Sequence, residues 1–350
     1  MTIYSRSAIN RIGDIIISWD EVSSEERELA FQVLCDWRAL HLVPLNTFRA
    51  TLRRYVAGID ASGGIVAQRL KRVPTIFDKI KNREQKMQLS RMQDIGGLRA
   101  IVQTIAKVRE VERKYRRSRT KHHLEKVRDY IVSPKDSGYR GIHLIYRYNS
   151  LDRVEYDGLY IEVQLRTRLQ HLWATAVETV GFFFQESLKS SKGNENWLDF
   201  FKLVSALFAV KEGAEPHVEF QHFTQKELVQ MLTKFDKDYR IFAQLKNIQA
   251  IKSARRNPKL TGASYWVIET VLNGDTVVKF YSFLESQKDS ADLTYRQLEQ
   301  SPECKSGKKQ VVLVSVDSVS KIERAYPNFF GDIAEFVAEL QQILAQNERW

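Results

Sequence analysis

Residues Tyr160 to Glu178 read YIEVQLRT running without a break into RLQHLWATAVE, and this stretch limits the possible folds more than any other. A β-strand turns successive side chains to opposite faces, so Glu162, Gln164 and Arg166 share one face. An amphipathic helix follows at once, and together they deliver a carboxylate, an amide and a guanidinium into one small volume. A half-buried structural strand alternates in the same way. On the pattern alone, a structural and a functional face therefore weigh about equally.

Two earlier segments concentrate site-type residues at strand ends in the same manner: RMQDIGGLRAIV, from Arg91 to Val102, and PKDSGYRGIHLIYRY, from Pro134 to Tyr148. With the strand above, they resemble the RelA/SpoT nucleotidyl-pyrophosphokinase domain. Its marks are an Asp in an RxxDxxGxR segment, a GYxxxH loop and an ExQxRT strand, here in that order between about residues 45 and 188. The resemblance implies an α+β fold, a mixed β-sheet flanked by helices, with a small C-terminal α+β module appended.

A chain of 350 residues buries a sizeable core and divides into two or three domains. The two cysteines, Cys35 and Cys304, give no disulfide framework and no zinc set, so a reducing cytoplasm is the expected compartment. No apolar leader opens the sequence, and no run reaches the roughly 18 apolar residues that span a bilayer, so no membrane association is expected. Net charge is +11, which favours polyanionic partners. From Lys107 to Arg128 ten basic residues stand against three acidic ones. A run including Arg113, Lys114, Arg116, Arg117 and Arg119, with Tyr115 inside it, suits phosphate contacts better than an ordinary solvated helix face.

Helix signals open the chain: Ser23 or Ser24 caps a segment carrying Leu29, Val33, Leu34 and Trp37, and Pro44 precedes a second helix ending near Gly58. Strand and helix then alternate to about residue 188. The polar stretch Lys189 to Asn196 reads as a linker, followed by a helical tract to about Lys252. Beyond it, a β-hairpin around Asn273 and Gly274, a helix, a strand and a terminal helix complete the chain. The expected division is a catalytic region at 1–188, a connector at 189–252 and a C-terminal region at 253–350.

The resemblance implies transfer of an intact pyrophosphate from ATP to a hydroxyl, with Mg²⁺ as cofactor. Asp94 is then the Mg²⁺ ligand, and Glu162 is either a second ligand or the base for the attacking hydroxyl. Gln164 and Arg166 orient acceptor and phosphate. Arg69 stacks on adenine while Lys71, Thr75 and Lys79 meet the triphosphate. Tyr139, following Gly138 on a loop expected to be flexible, stacks on the acceptor base, and His143 touches an acceptor phosphate. Ser137 and Gly141 depart from the commoner NGYxSxH pattern at the place where the acceptor is held.

No adjacent His-Asp pair is present, so the hydrolase of dual-function relatives is not expected. The loop variants and the appended module look most similar to toxic small alarmone synthetases, in particular the fused toxin–antitoxin type called CapRel. That likeness implies pyrophosphorylation of the 3′-hydroxyl of the tRNA CCA end, which blocks aminoacylation and translation. The enzyme alternative is a (p)ppGpp or (p)ppApp synthetase; the non-enzyme alternative is an RNA-binding regulator. The likeness further implies restraint by the C-terminal domain through a YxxY motif, matched here by Tyr326 and Phe329. Release would come from a phage protein such as the major capsid protein.

Overall fold

The computed structural model describes residues 4–83, 87–187, 194–239, 241–242, 245, 264–271, 277–305, 309–315 and 333–347. Three helices begin the chain: α1 (Arg6–Ile17), α2 (Ser24–Leu40) and α3 (Leu42–Ile59). Ser23 caps α2 in a reciprocal box: its hydroxyl accepts from the Glu26 amide at 3.2 Å, and its own amide donates to Glu26 Oε2 at 3.0 Å. Nothing in the sequence reading anticipated α1, which is capped by Ser5 and buries Ile9, Ile12 and Ile16. Because α1 packs along α2, the buried arc of α2 turns toward Ala30, Phe31, Val33 and Leu34. Leu29, expected in the apolar stripe, is left 65% exposed.

The strands are β1 (Ile65–Leu70), β2 (Gly96–Val102), β3 (His123–Asp129), β4 (Ile142–Arg147), β5 (Tyr160–Thr167), β6 (Tyr265–Val271), β7 (Val277–Phe283) and β8 (Lys309–Ser315). They form one mixed sheet in the order β3-β4-β5-β2-β1-β8-β6-β7, parallel between β2 and β5 and antiparallel elsewhere. β6 and β7 pair as the expected hairpin, although its turn lies outside the described residues. Between β1 and β2, a short α4 (Val73–Asp78) runs into a π-helical turn at Lys79–Arg83.

One face of the sheet is apolar. Ile161, Val163 and Leu165 of β5 and Leu98 and Ala100 of β2 pack there beneath α3 and α5 (Ile105–Arg116). Gly96 permits this close approach, since a Cβ on it would stand 2.8 Å from Ile161 Cδ1 and 3.3 Å from His41 Cβ and Leu45 Cγ. The other face carries α6 (Arg168–Ser187), backed by α7 (Asn194–Lys211), α8 (Gln225–Tyr239) and the terminal α10 (Ala334–Asn347) in a second core. Among the described residues no helix is long and apolar enough to cross a membrane.

The sheet continues across the boundary expected between the catalytic and C-terminal regions. β8 pairs with β1 at Gln68↔Ser315 and Arg69↔Val314, and the core runs on through Tyr265, Val267, Tyr295 and Leu313. Helix α9 (Lys288–Glu299) meets α2 through a buried polar knot. Arg38 Nη1 lies 2.5 Å from Glu299 Oε2, Arg38 Nη2 donates to Tyr295 Oη, and Tyr295 Oη donates to Glu299 Oε1 at 2.7 Å. Arg38 Nε also donates to the Lys71 carbonyl at 2.8 Å. Cys35 lies at the same knot and Cys304 beside the C-terminal strands; both are free thiols, pushed by burial to about 12 and therefore poor nucleophiles.

Breaking a buried ion pair strands the surviving charge, whereas removing both partners does not. Arg38→Met is therefore expected to lose about 3–5 kcal/mol of stability. Arg38→Met combined with Glu299→Leu is expected to recover most of that loss. Urea unfolding of the double-mutant cycle tests this, and simply additive losses would show the pair to be uncoupled. A second expectation concerns His41, buried between α2 and α3, with Nδ1 3.0 Å from the Trp37 carbonyl. Burial lowers its pKa from 6.5 to about 4. Between those values the unfolded chain takes up a proton that the folded chain refuses, so stability falls as pH drops from 6.5 to 4, by roughly 3 kcal/mol at most. A His41→Asn variant, which cannot titrate, is expected to show a flatter slope in that window; an undiminished slope would place the titration elsewhere.

Candidate active site

On the face of the sheet turned away from α3 and α5, the strand registers align functional side chains in rows. Arg69 stands across from Gly97, and Gly97 from Glu162. In the next row Ala67 pairs with Arg99, Arg99 with Gln164, Gln164 with His143 and His143 with Arg128. Gly97 has no side chain, so the space between Arg69 and Glu162 stays open. A Cβ there would touch only the Arg69 carbonyl, at 3.7 Å.

Glu162 is 7% exposed and fully partnered. His143 Nδ1 lies 2.8 Å from its Oε1, and Gln164 Nε2 donates to its Oε2 at 2.7 Å. Burial pushes its pKa upward, but the pull of His143, the bonds from His143 and Gln164, and the charge of Lys71 together bring it down to about 2. Arg166 Nη2 donates to Gln164 Oε1 at 3.0 Å, completing an array along β5.

Tyr139 joins this array instead of projecting from it. Its hydroxyl is 2.5 Å from His143 Nε2 and accepts from Arg166 Nε at 3.1 Å. The Arg166 guanidinium and the Lys135 ammonium lie 5.0 and 5.2 Å from its ring centroid. The flexible loop expected around Gly138 is pinned: the Gly138 amide donates to the Lys135 carbonyl at 2.7 Å and the Lys135 amide to the Tyr139 carbonyl at 3.1 Å. Glycine is required there, since Gly138 has φ +86° and a Cβ would stand 3.0 Å from Ser205.

Asp94 sits between two lysines, with Lys71 Nζ at 2.8 Å and Lys79 Nζ at 3.3 Å. Lys71 also helps lower the pKa of Glu162, so one lysine acts on both carboxylates. Lys79 opens the π-helical turn, a local irregularity that aims its side chain back at Asp94. Thr75 lies one turn earlier in α4, half-buried, its amide donating to the Arg72 carbonyl at 3.0 Å.

Two further contributors went unassigned in the sequence. Arg99 is buried between Ala67 and Gln164, and its place in the RxxDxxGxR segment was the available signal. Glu178 of α6 is reached by solvent yet closely flanked. Crowding raises its pKa, but Arg69, Arg99, Arg166 and Arg72, in that order, pull it below the ordinary carboxylate range. The four guanidiniums that act on this one carboxylate would also favour an anionic ligand.

The sequence-predicted residues are thus mostly brought together. Asp94 with Lys71 and Lys79 forms one cluster, Tyr139, His143, Glu162, Gln164 and Arg166 form another, and Arg69 and Glu162 flank the recess left at Gly97. Arg113, Lys114, Arg116, Arg117 and Arg119 do not join them, because α5 covers the opposite face of the sheet. Lys114 and Arg116 pair with Glu110 and Glu112. Tyr115, read as part of a phosphate-binding run, is instead a core residue, 2% exposed, its hydroxyl donating to the Phe48 carbonyl at 2.9 Å. The helical period that exposes its basic neighbours turns it inward. Tyr326 and Phe329 lie outside the described residues.

Mg²⁺ normally takes one or two protein carboxylates and completes its shell with water and substrate phosphates. Among the described residues no group of three or more His, Cys, Asp or Glu side chains converges. Asp94 and Glu162, with Lys71 acting on both, fit a cation that arrives with a polyphosphate better than a permanent protein cage.

Residues 68–181 match the family described as "Region found in RelA / SpoT proteins". The GTP pyrophosphokinase YjbM of Bacillus subtilis is 27% identical over 124 residues, 35% of this chain and 58% of that protein. YwaC of the same organism, also a GTP pyrophosphokinase, is 32% identical over 113 residues, 31% of this chain and 52% of that protein. The chain thus spans about half the length of the curated relatives it matches. Among solved structures, small alarmone synthetase 1 of Bacillus subtilis bound to pppGpp aligns at 23% identity and a TM-score of 0.42, over 51% of this chain and 93% of that one. A GTP pyrophosphokinase family protein from Streptococcus pneumoniae aligns at 22% identity and 0.39, over 49% and 85%. The match to the RelA/SpoT region, residues 68–181, covers the Arg69 end of β1 and the strands β2, β4 and β5 that carry these side chains.

Proposed function

We propose that this protein transfers pyrophosphate from ATP to a nucleotide hydroxyl, and that the acceptor is the 3′-terminal hydroxyl of the tRNA CCA end. The observation that carries the transfer is the open row Arg69–Gly97–Glu162, with Asp94 and its two lysines at one end and the Glu162–His143–Tyr139–Arg166 network at the other. The acceptor oxygen attacks the β-phosphorus, the bond from that phosphorus to the α,β-bridging oxygen breaks, and AMP leaves with the electron pair. Lys71 and Lys79 exchange Asp94 for phosphate oxygens, while Arg69 and Arg99 flank the donor. A bound Mg²⁺, held by Asp94 and Glu162, would neutralise charge on the transferring group.

Glu162, with a pKa of about 2, is a weak base. In the loose transition state of phosphoryl transfer the nucleophile loses its proton late, so a carboxylate that only orients the hydroxyl suffices. A low pKa supports orienting the hydroxyl and holding the metal as the part that Glu162 plays. Tyr139 offers a ring to the acceptor base once Arg166 or Lys135 withdraws from it.

The net charge of +11 and the exposed basic run at Arg113–Arg119 support an extended polyanion as acceptor, reached around the β3 edge of the sheet. A mononucleotide acceptor, GDP or GTP, is the second reading, supported by the curated relatives being GTP pyrophosphokinases and by the basic run lying on the far layer. The C-terminal region serves as a restraint in either case, since β8 borders Arg69 and Arg38 ties α9 to the Lys71 backbone. A phage capsid protein binding that region would release it.

The test is incubation of the full-length protein with γ-labelled ATP and Mg²⁺, with deacylated tRNA or GDP, with and without a phage capsid protein. Label on tRNA is expected. Label on GDP alone would replace the acceptor, and label on neither, with the capsid protein present, would leave only a binding role. Glu162→Gln is expected to reduce transfer at least about a hundredfold while ATP binding, followed by calorimetry, changes much less; undiminished transfer would remove Glu162 from the chemistry. Neutralising Arg116, Arg117 and Arg119 together is expected to lower transfer to tRNA, not to GDP, and to flatten the salt dependence; equal losses would make the run structural.

A further inference from the structure

Arg140 follows Tyr139 in the loop and is buried at 3% exposure. Its Nη1 lies 2.7 Å from Oε2 of Glu212, also buried, immediately after α7. Gln170 Nε2 donates to the same oxygen at 3.3 Å, while Gln170 and Thr167 cap each other where β5 turns into α6, one residue beyond Arg166. Ser205 of α7 donates to the Gly138 carbonyl at 2.5 Å. The loop bearing Tyr139 is thus fastened to α7 on both sides of the tyrosine.

As a source of stability this pair is a poor choice. Arg140 Nε and Nη2 and Glu212 Oε1 are buried without hydrogen-bond partners. Desolvating two charges with unmet groups costs about as much as their attraction returns, and an apolar pair of similar volume commonly does as well or better. What the pair does supply is register. It fixes one residue of the loop against one residue of a helix, with a direction that apolar packing does not impose.

We infer that the Arg140–Glu212 pair, with Ser205, positions Tyr139 for the acceptor, making α7 part of the acceptor site; this rests on the pyrophosphate-transfer function proposed above. Neither Arg140 nor Glu212 touches the donor recess, so the donor side is independent of the pair. The experiment uses full-length Arg140→Met, Glu212→Leu and the double variant, with KM for acceptor, KM for ATP and kcat measured separately on whichever acceptor the wild-type protein labels. The singles strand one buried charge and lose stability. The double variant is expected to be about as stable as the wild type, yet to show an acceptor KM raised about tenfold or more with the KM for ATP within about twofold. An unchanged acceptor KM in the stable double variant overturns the assignment. A second measurement needs no turnover: hydrogen exchange at the amides of residues 138–141 is expected to quicken in the double variant alongside unchanged protection in β5. Unaltered exchange there overturns the positioning role even if the wild-type protein transfers pyrophosphate to neither acceptor, while quickened exchange in such a protein keeps the loop staple and sinks only the function.

Discussion

The parallel pairing of β2 with β5 is the constraint on which the rest depends. It sets Gly97 beside Glu162 and Arg99 beside Gln164, and the antiparallel neighbours extend those rows to Arg69 and His143. A one-residue slip would turn Glu162 into the core beneath α3 and bring Val163 to the recess. The register is held because Ile161, Val163 and Leu165 are all at or near full burial on the opposite face, and Gly96 lets α3 close over them. One alternation thus does two jobs: the same period that seals the core lines up the polar array.

The C-terminal strands change what that sheet can do. In a sheet ending at β1, the strand bearing Arg69 would be an open edge, free to move and exposed to pairing with other chains. β8 covers that edge, and the Arg38–Tyr295–Glu299 knot fixes α9 to the helix whose arginine holds the Lys71 carbonyl. On the other side α10 seats Phe336 among Phe200, Phe201 and Phe208 of α7, with Glu339 between Arg168 and Lys211. The C-terminal region therefore grips β1, the strand that bears Arg69, through one contact and α7, the helix behind the Tyr139 loop, through another.

Much of this was legible in the sequence. The YIEVQLRT alternation, the Ser23 cap and the hairpin after Tyr265 each carry a local signal that tertiary packing did not override. The rest was missed, for separate reasons. Helix α1 did carry a local signal, the Ser5 cap followed by Ile9, Ile12 and Ile16 at helical spacing, which the reading of the sequence passed over. Tyr115 lies in a basic run, and composition cannot say which side of a helix faces the core; the period can, and it points Tyr115 inward with Val108 and Val111. Arg99 and Glu178 belong to the recess only through a sheet register and a helix crossing, both non-local. The rigidity of the Tyr139 loop was hidden for the same reason, since its anchors Ser205 and Glu212 lie more than sixty residues away.

The recess is electrostatically satisfied without any ligand: Asp94 by two lysines, Glu162 by His143 and Gln164, and Glu178 by the arginines. Under the proposed function ligand binding would be an exchange of partners, in which an incoming polyphosphate would take lysines and arginines from internal carboxylates. The net gain is smaller than the raw attraction of so many cations suggests, because each cation already has most of its stabilisation. The freed carboxylates, Asp94 above all, become uncompensated as the phosphates arrive, and a divalent cation is the species that restores balance. On that reading, charge balance within a partly buried site would make metal and nucleotide binding mutually dependent, each completing what the other disrupts.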